Sequence, residues 1–177
     1  MSQGVRERPD VSEYAPYYGR YISLVTEEHV VEVLEHQLAR TLDFFRACAE
    51  QDGDRRYAPG KWTVREVIGH VIDTERVMAF RALSFARSDP ATLPGMEQDD
   101  WARFSSYGAL PLSELMEEFS AVRQSTLALL RHLSPEAWSR RGIASGCEFT
   151  VKALAYIIAG HERHHMDILK TRYFAES

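Results

Sequence analysis

Four stretches of this 177-residue chain repeat apolar side chains at three- and four-residue steps, the spacing that lines one face of an α-helix. No stretch alternates convincingly as a half-buried strand would. The first begins at Thr26 and runs on Val31, Leu34, Leu38, Leu42, Phe45 and Cys48, with Glu27 and Glu28 where the helix dipole favours anions. Gly53 and Pro59-Gly60 close it. The second opens on Thr63-Val64-Arg65-Glu66, a capping box in which the Thr63 hydroxyl accepts from the Glu66 amide while Glu66 reaches back. Trp62 and Val67 stand where a hydrophobic staple would, and the apolar face continues to about Arg87. The third helix spans about Pro111 to Leu133, and the fourth Thr150 to near Phe174. Ser134-Pro135-Glu136 predicts a short capped turn between them. Residues 1–25, with Pro9, Pro16, Gly19 and several tyrosines, read as an arm lying over a domain that spans 26–177.

Four amphipathic helices predict an all-α fold, a four-helix bundle. Residues 89–110 hold Pro90, Pro94, Gly95 and Gly108, with a short helical piece at 97–101. That connection far exceeds the ~2–8 residues usual between adjacent antiparallel helices. A long crossover of this kind leaves the second and third helices parallel, and the second and fourth antiparallel.

The net charge of −5 is spread over interspersed acids and bases. No basic stripe of the kind that binds nucleic acid is present, and anionic membrane surfaces are disfavoured by the same balance. No apolar run approaches the roughly 18 residues of a membrane span, and the polar first nine residues lack the apolar core of a signal peptide. A cytoplasmic location is therefore expected, with Cys48 and Cys147 as free thiols.

The chemistry concentrates in histidines. In Gly160-His161-Glu162-Arg163-His164-His165, the residues His161 and His165 fall about 40° apart on the helical wheel, one turn along, amid the arc of Leu154, Ile158, Ile168 and Leu169. Imidazoles at i and i+4 can converge on one ion; alternatively, both are core histidines hydrogen-bonded to neighbours. His164 lies near the helix edge. His70 sits on the flank of its own helix's apolar arc, but roughly 10 Å into that helix, a height matching His161 and His165 if the two run antiparallel. Gly69 and Gly160 each precede a candidate ligand, for which close packing and function are equally good explanations. His29, His36 and His132 read as solvated, Asp73 as water-facing, and Trp62 and Trp101 as core or staple residues.

The stretches Lys61-Trp62-Thr63-Val64-Arg65-Glu66-Val67-Ile68-Gly69-His70-Val71-Ile72-Asp73 and Ile157-Ile158-Ala159-Gly160-His161-Glu162-Arg163-His164-His165 resemble the second- and fourth-helix signatures of the DinB/YfiT-like metal-binding proteins. Pro94-Gly95-Met96-Glu97-Gln98-Asp99-Asp100-Trp101 resembles the linker before their third helix, and the likeness covers about residues 20 to 174. The resemblance implies a four-helix bundle with the long crossover between helices 2 and 3, assembled as a homodimer. It also implies a divalent ion, zinc or nickel, on three histidines matching His70, His161 and His165. Relatives of this kind include S-transferases using low-molecular-weight thiols such as bacillithiol, mycothiol or glutathione, and a thiol-dependent isomerase.

Three neutral histidines leave an ion at least one open position. Three functions then stand open. A metal-dependent S-transferase would use the ion to stabilise a small thiolate, and a hydrolase would use it to acidify bound water. A non-enzymatic metal-binding protein of stress responses would do neither. No residue identifies a general acid, a general base or the thiol.

Overall fold

The computed structural model describes residues 7–175; residues 1–6 and 176–177, and with them most of the polar N-terminal stretch read above, lie outside the described residues. Its helices are α1 (Gly19–Ile22), α2 (Val30–Arg46), α3 (Val64–Ala86), α4 (Gln98–Phe104), α5 (Leu112–Arg131), α6 (Pro135–Trp138) and α7 (Val151–Ile168). A hairpin of β1 (Arg141–Ala144) and β2 (Cys147–Thr150) precedes α7, and a π-helical turn, Leu169–Tyr173, follows it. Helices α2, α3, α5 and α7 form the bundle.

Local chemistry sets the starts of these helices. The Thr63 side chain accepts from the Glu66 amide at 3.1 Å while Glu66 takes the Thr63 amide at 2.6 Å, so both orphan donors of the first turn are satisfied. Ser134 and Thr150 cap α6 and α7 from one side only, each side chain accepting from the amide three residues on. The first bundle helix, however, starts at Val30 and not at Thr26. Side chains of α7 draw the preceding residues out of helical geometry. Arg163 grips the Glu27 carboxylate at 2.7 and 2.9 Å, and the Tyr156 hydroxyl lies 3.0 and 2.9 Å from the carbonyls of Glu27 and Glu28.

Helix α3 packs along both α7 and α5, and α2 along α5 and α7, so α2 and α3 face each other across the bundle. One apolar cluster joins the N-terminal half of α3 (Val64, Val67, Ile68) to the start of α5 (Leu112, Leu115) and to Leu169 and Tyr173 beyond α7. A second joins the C-terminal half of α3 (Ala82, Phe85) to the end of α5 (Leu127, Leu130) and the start of α7 (Val151, Leu154). Helices α3 and α5 are thus parallel and α3 and α7 antiparallel, as the long crossover requires.

Two expectations need correction. The arm does more than lie over the domain: Tyr21, Ile22 and Val25 are buried, and α1 packs on α7. A side-chain carbon at Gly160 would collide with the Tyr21 carbonyl, and one at Gly69 with the Tyr107 ring, so close packing accounts for both glycines. The second correction is the hairpin. Ser145 and Gly146 turn it with φ of 53° and 72°, the left-handed pair that two-residue turns demand. Ser-Gly between two short runs is the signal that the helical reading passed over.

At the bundle's centre lies a cluster of charges. Arg123 is fully buried on α5 and binds Glu75 of α3 through two parallel hydrogen bonds of 2.8 and 2.7 Å. It also reaches Glu162 of α7 at 2.7 Å and the Leu34 carbonyl of α2 at 3.1 Å. Gln37 and Thr41, both on α2, donate to the two Glu162 oxygens at 3.0 and 2.6 Å. One network therefore pins all four bundle helices in register.

No helix among the described residues is long and apolar enough to cross a membrane.

Candidate metal centre

His70 stands on α3 two turns after the capping box, and His161 and His165 stand one turn apart on α7. Antiparallel packing brings the three rings to one height. The Nε2 atoms of His70 and His161 are 3.0 Å apart, and those of His165 and His161 are 3.1 Å apart. All three rings place a nitrogen within 4.8 Å of the others. His70 and His161 are buried, and His165 is partly so. His164 points elsewhere, edge-on to the Tyr21 ring.

Hydrogen bonding alone cannot account for this arrangement. A neutral imidazole nitrogen has either one proton to give or one lone pair to fill. The Nε2 of His161 faces two others, so at most one of those contacts can be satisfied. A cation among the three resolves the conflict, and the donor set suits one. Two nitrogens on a tetrahedral zinc with bonds of ~2.0–2.1 Å stand about 3.3 Å apart, so shifts of a few tenths of an ångström reach ligand spacing.

Protonation points the same way. Burial holds the His70 ring down at about 4, against a small opposing pull from Asp99. Burial first, then the charges of His70, His164 and Arg20, brings His165 to about 3, and burial takes His161 well below its ordinary value. All three are therefore neutral near pH 7, the state a metal ligand needs. The unfolded chain takes these protons near pH 6.5, so it binds more of them than the folded chain below that point. Metal-free protein is expected to lose stability as the pH falls from about 6.5 toward 4, with His70 alone contributing on the order of 3 kcal/mol. Urea melts at several pH values check this; a midpoint constant across that window would contradict it.

The surroundings include residues that the sequence reading assigned elsewhere. The Trp62 ring packs against His70 at 4.9 Å between centroids, and Tyr21 against His161 at 5.2 Å. Trp62 thus covers a candidate ligand as well as stapling α3. Trp101, expected as a core or staple residue, is 45% exposed on α4. Asp73 is half-buried and, rather than facing water freely, takes the Tyr107 hydroxyl at 2.8 Å. His36 and His132 are exposed as expected, while His29 is half-buried just before α2.

Beside His70 and His161 opens a cavity of about 110 Å³. Its wall continues along α3 through Thr74, Val77, Met78 and Arg81, and is completed by Tyr17, Tyr18 and Tyr21 of the arm, Met96, Gln98, Ser145 and Ile157. No carboxylate lines it among the described residues. Sequence reasoning missed Thr74 and Arg81, though both lie at helical steps from His70 on one face of α3.

Comparison with known proteins places these features among relatives. The sequence profile of the DinB superfamily matches residues 33–169. A protein of Oceanobacillus iheyensis named "Putative metal-dependent hydrolase" is 31% identical over 116 residues, 64% of this chain and 66% of that one. One of Bacillus mycoides with the same designation is 26% identical over 153 residues, covering 82% and 86%. Among solved structures, YfiT from Bacillus subtilis, titled "a probable metal-dependent hydrolase with an unusual four-helix bundle topology", superposes with a TM-score of 0.69 at 18% identity, covering 94% of this chain and 93% of that one. The mycothiol-dependent maleylpyruvate isomerase superposes with a TM-score of 0.66 at 10% identity, covering 82% and 62%.

Proposed function

We propose that this chain, which belongs to the DinB superfamily, is a metal-dependent S-transferase that joins a low-molecular-weight thiol, intact and through its sulfur, to a small electrophile, which releases its leaving group. In this reading His70, His161 and His165 hold zinc or nickel. The observation that carries the proposal is the pairing of three neutral, converging imidazoles with an adjoining cavity that has no carboxylate in its wall among the described residues.

When bound there, a divalent ion supplies the Lewis acidity that keeps a thiol ionised, or acidifies water, near neutral pH. The chain's own residues set the rest. Burial keeps the three rings neutral, with their nitrogens free to ligate. Trp62 and Tyr21 wall the rings from solvent and hold their orientation. Water used as a nucleophile needs a group nearby to take its second proton, and among the described residues no carboxylate stands in the cavity wall for that task, Asp99, whose charge reaches His70, lying outside it. A thiol that has already lost its only proton needs none. This asymmetry favours thiol conjugation over hydrolysis.

The names of the relatives favour hydrolysis as a second reading. Full-length protein loaded with zinc or nickel separates the two. Conjugation of cysteine or glutathione to an aryl halide should require both metal and thiol. Turnover of an ester and amide panel without thiol would replace thiol conjugation by hydrolysis, and silence in both assays would remove the enzymatic reading altogether.

A further inference from the structure

Among the described residues three arginines are buried, and two of them meet carboxylates: Arg123 pairs with Glu75 and Glu162, and Arg65 with Glu50 and Asp54. Arg81, only 2% exposed, pairs with none among the described residues. Its partners are neutral: the Pro94 carbonyl at 2.8 Å, the Ser145 hydroxyl at 3.0 Å and the Met78 sulfur at 3.6 Å, with the Tyr18 hydroxyl close by. A guanidinium out of water without a counter-ion is disfavoured unless something else neutralises it. Arg81 lines the same cavity as His70 and His161.

A second observation concerns the same wall. Thr74 is 4% exposed and its hydroxyl has no hydrogen-bond partner among the described residues. Within a helix a threonine hydroxyl commonly bonds the carbonyl four residues back; this one does not. It lies one turn beyond His70 and seven residues before Arg81, so the three line one stripe of α3. The stripe presents candidate metal ligand, unused hydroxyl and unpaired cation in that order.

We propose that Arg81 and Thr74 are the anion-binding end of this cavity, and that the small molecule it receives carries an oxyanion, a carboxylate or a phosphate. The guanidinium fork matches either group, and the threonine hydroxyl adds one donor on the side nearer the histidines. Ser145 and Pro94 hold the guanidinium where the hairpin and the crossover meet, joined there by backbone hydrogen bonds between Leu93 and the residues Ile143 and Ser145. The span from His70 to Arg81 is roughly 16 Å between their Cα atoms along the helix axis, and arginine leans back toward the N-terminus, which shortens the gap. The cavity is smaller than the roughly 150 Å³ that accommodates benzene, so it takes a short chain ending in the anion. The proposal deepens the function argued above by defining its substrate class, and rests on it only for the assumption that this cavity receives the substrate.

Calorimetric titration of the full-length protein at pH 7.5, as purified and again after metal removal, tests it with butanoate, inorganic phosphate and neutral butanamide. At least one anion should bind in both preparations, and butanamide at least tenfold more weakly. Butanoate alone would assign a carboxylate, phosphate alone a phosphate. Arg81→Gln should lower the anion affinity at least tenfold. Thr74→Val, which replaces an unused hydroxyl by a methyl of the same shape, should lower it severalfold with no loss of melting temperature, so the test stands even if Arg81→Gln does not fold. Binding seen only with metal present, equal binding of butanamide, or loss of binding on Arg20→Gln but not on either of these substitutions would overturn the proposal. Because the decisive titration is done without metal or thiol, it can fail while thiol conjugation stands, and the reverse.

Discussion

Arg123→Met is expected to remove about 3–5 kcal/mol of folding stability, the range seen when one partner is taken from a buried ion pair. The substitution keeps most of the side chain's volume but leaves Glu75 and Glu162, each 2% exposed, as two carboxylates without their cation. Three oxygens lose a donor at once, since Arg123 serves both oxygens of Glu75 and one of Glu162. A domain of this size has about 5–15 kcal/mol in total, so the variant falls close to the unfolding threshold. The neutral triple variant Arg123→Met, Glu75→Gln, Glu162→Gln should recover much of the loss, because no buried charge then stands alone. Urea denaturation at pH 7 measures both. A single variant within 1 kcal/mol of the parent would show that the network contributes little.

The consequence reaches the candidate metal centre. Glu75 follows Thr74 directly, and Glu162 follows His161. Arg123 therefore ties together the two helices that carry the histidines, behind the face they present. Sliding α3 against α7 by one turn would break both carboxylate contacts and move His70 about 5.4 Å from its partners. A buried network is a strong way to specify register, since apolar stripes tolerate slippage that fixed hydrogen bonds do not.

This division explains what could be read from the chain before its structure. The helices, their caps and the convergence of His70 with His161 and His165 follow from short-range periodicity and from one inference about topology, the long crossover. The central network was equally present as a pattern. Arg123 sits one turn after Phe119 and one before Leu127, and Glu162 one turn after Ile158, each a charge within a buried stripe. Periodicity marks such residues as anomalies but says nothing of which other helix supplies the partner. Gln37 and Thr41 illustrate the cost: read as polar, they shifted the inferred inner face of α2 toward Leu38 and Leu42, which are only partly buried. The arm's docking and the place of the hairpin beside the cavity were illegible for another reason. Tyr21 and Ser145 reach the cavity through contacts with residues more than 60 positions away, and local sequence carries no record of those. Arg81 belongs to both classes: it falls in helical step with His70, while its lack of an acid partner appears only in three dimensions.

His161→Ala is expected to abolish metal binding while leaving the fold intact. His161 is the middle ring, the only one whose Nε2 contacts both others at 3.0 and 3.1 Å. Without it, His70 and His165 remain as two ligands on different helices, and a site with two neutral ligands holds a divalent ion far more weakly than one with three. Loss of an outer partner alone typically lowers metal affinity ~10–100-fold, and loss of a direct ligand should exceed that. Elemental analysis of protein purified without an affinity tag should give close to one divalent ion per parent chain and essentially none for the variant. Melting offers an independent reading. Metal at 100 times its dissociation constant adds about 2.7 kcal/mol, or roughly 5–10 °C for a domain of this length, to the parent and nothing to the variant. The metal-free forms carry only the packing cost of the lost ring, so the rise on adding metal, present in the parent and absent in the variant, is the reading that reports the site. An equal metal content in the two proteins would place the ion elsewhere and leave the three histidines as a packing cluster with one unsatisfied contact.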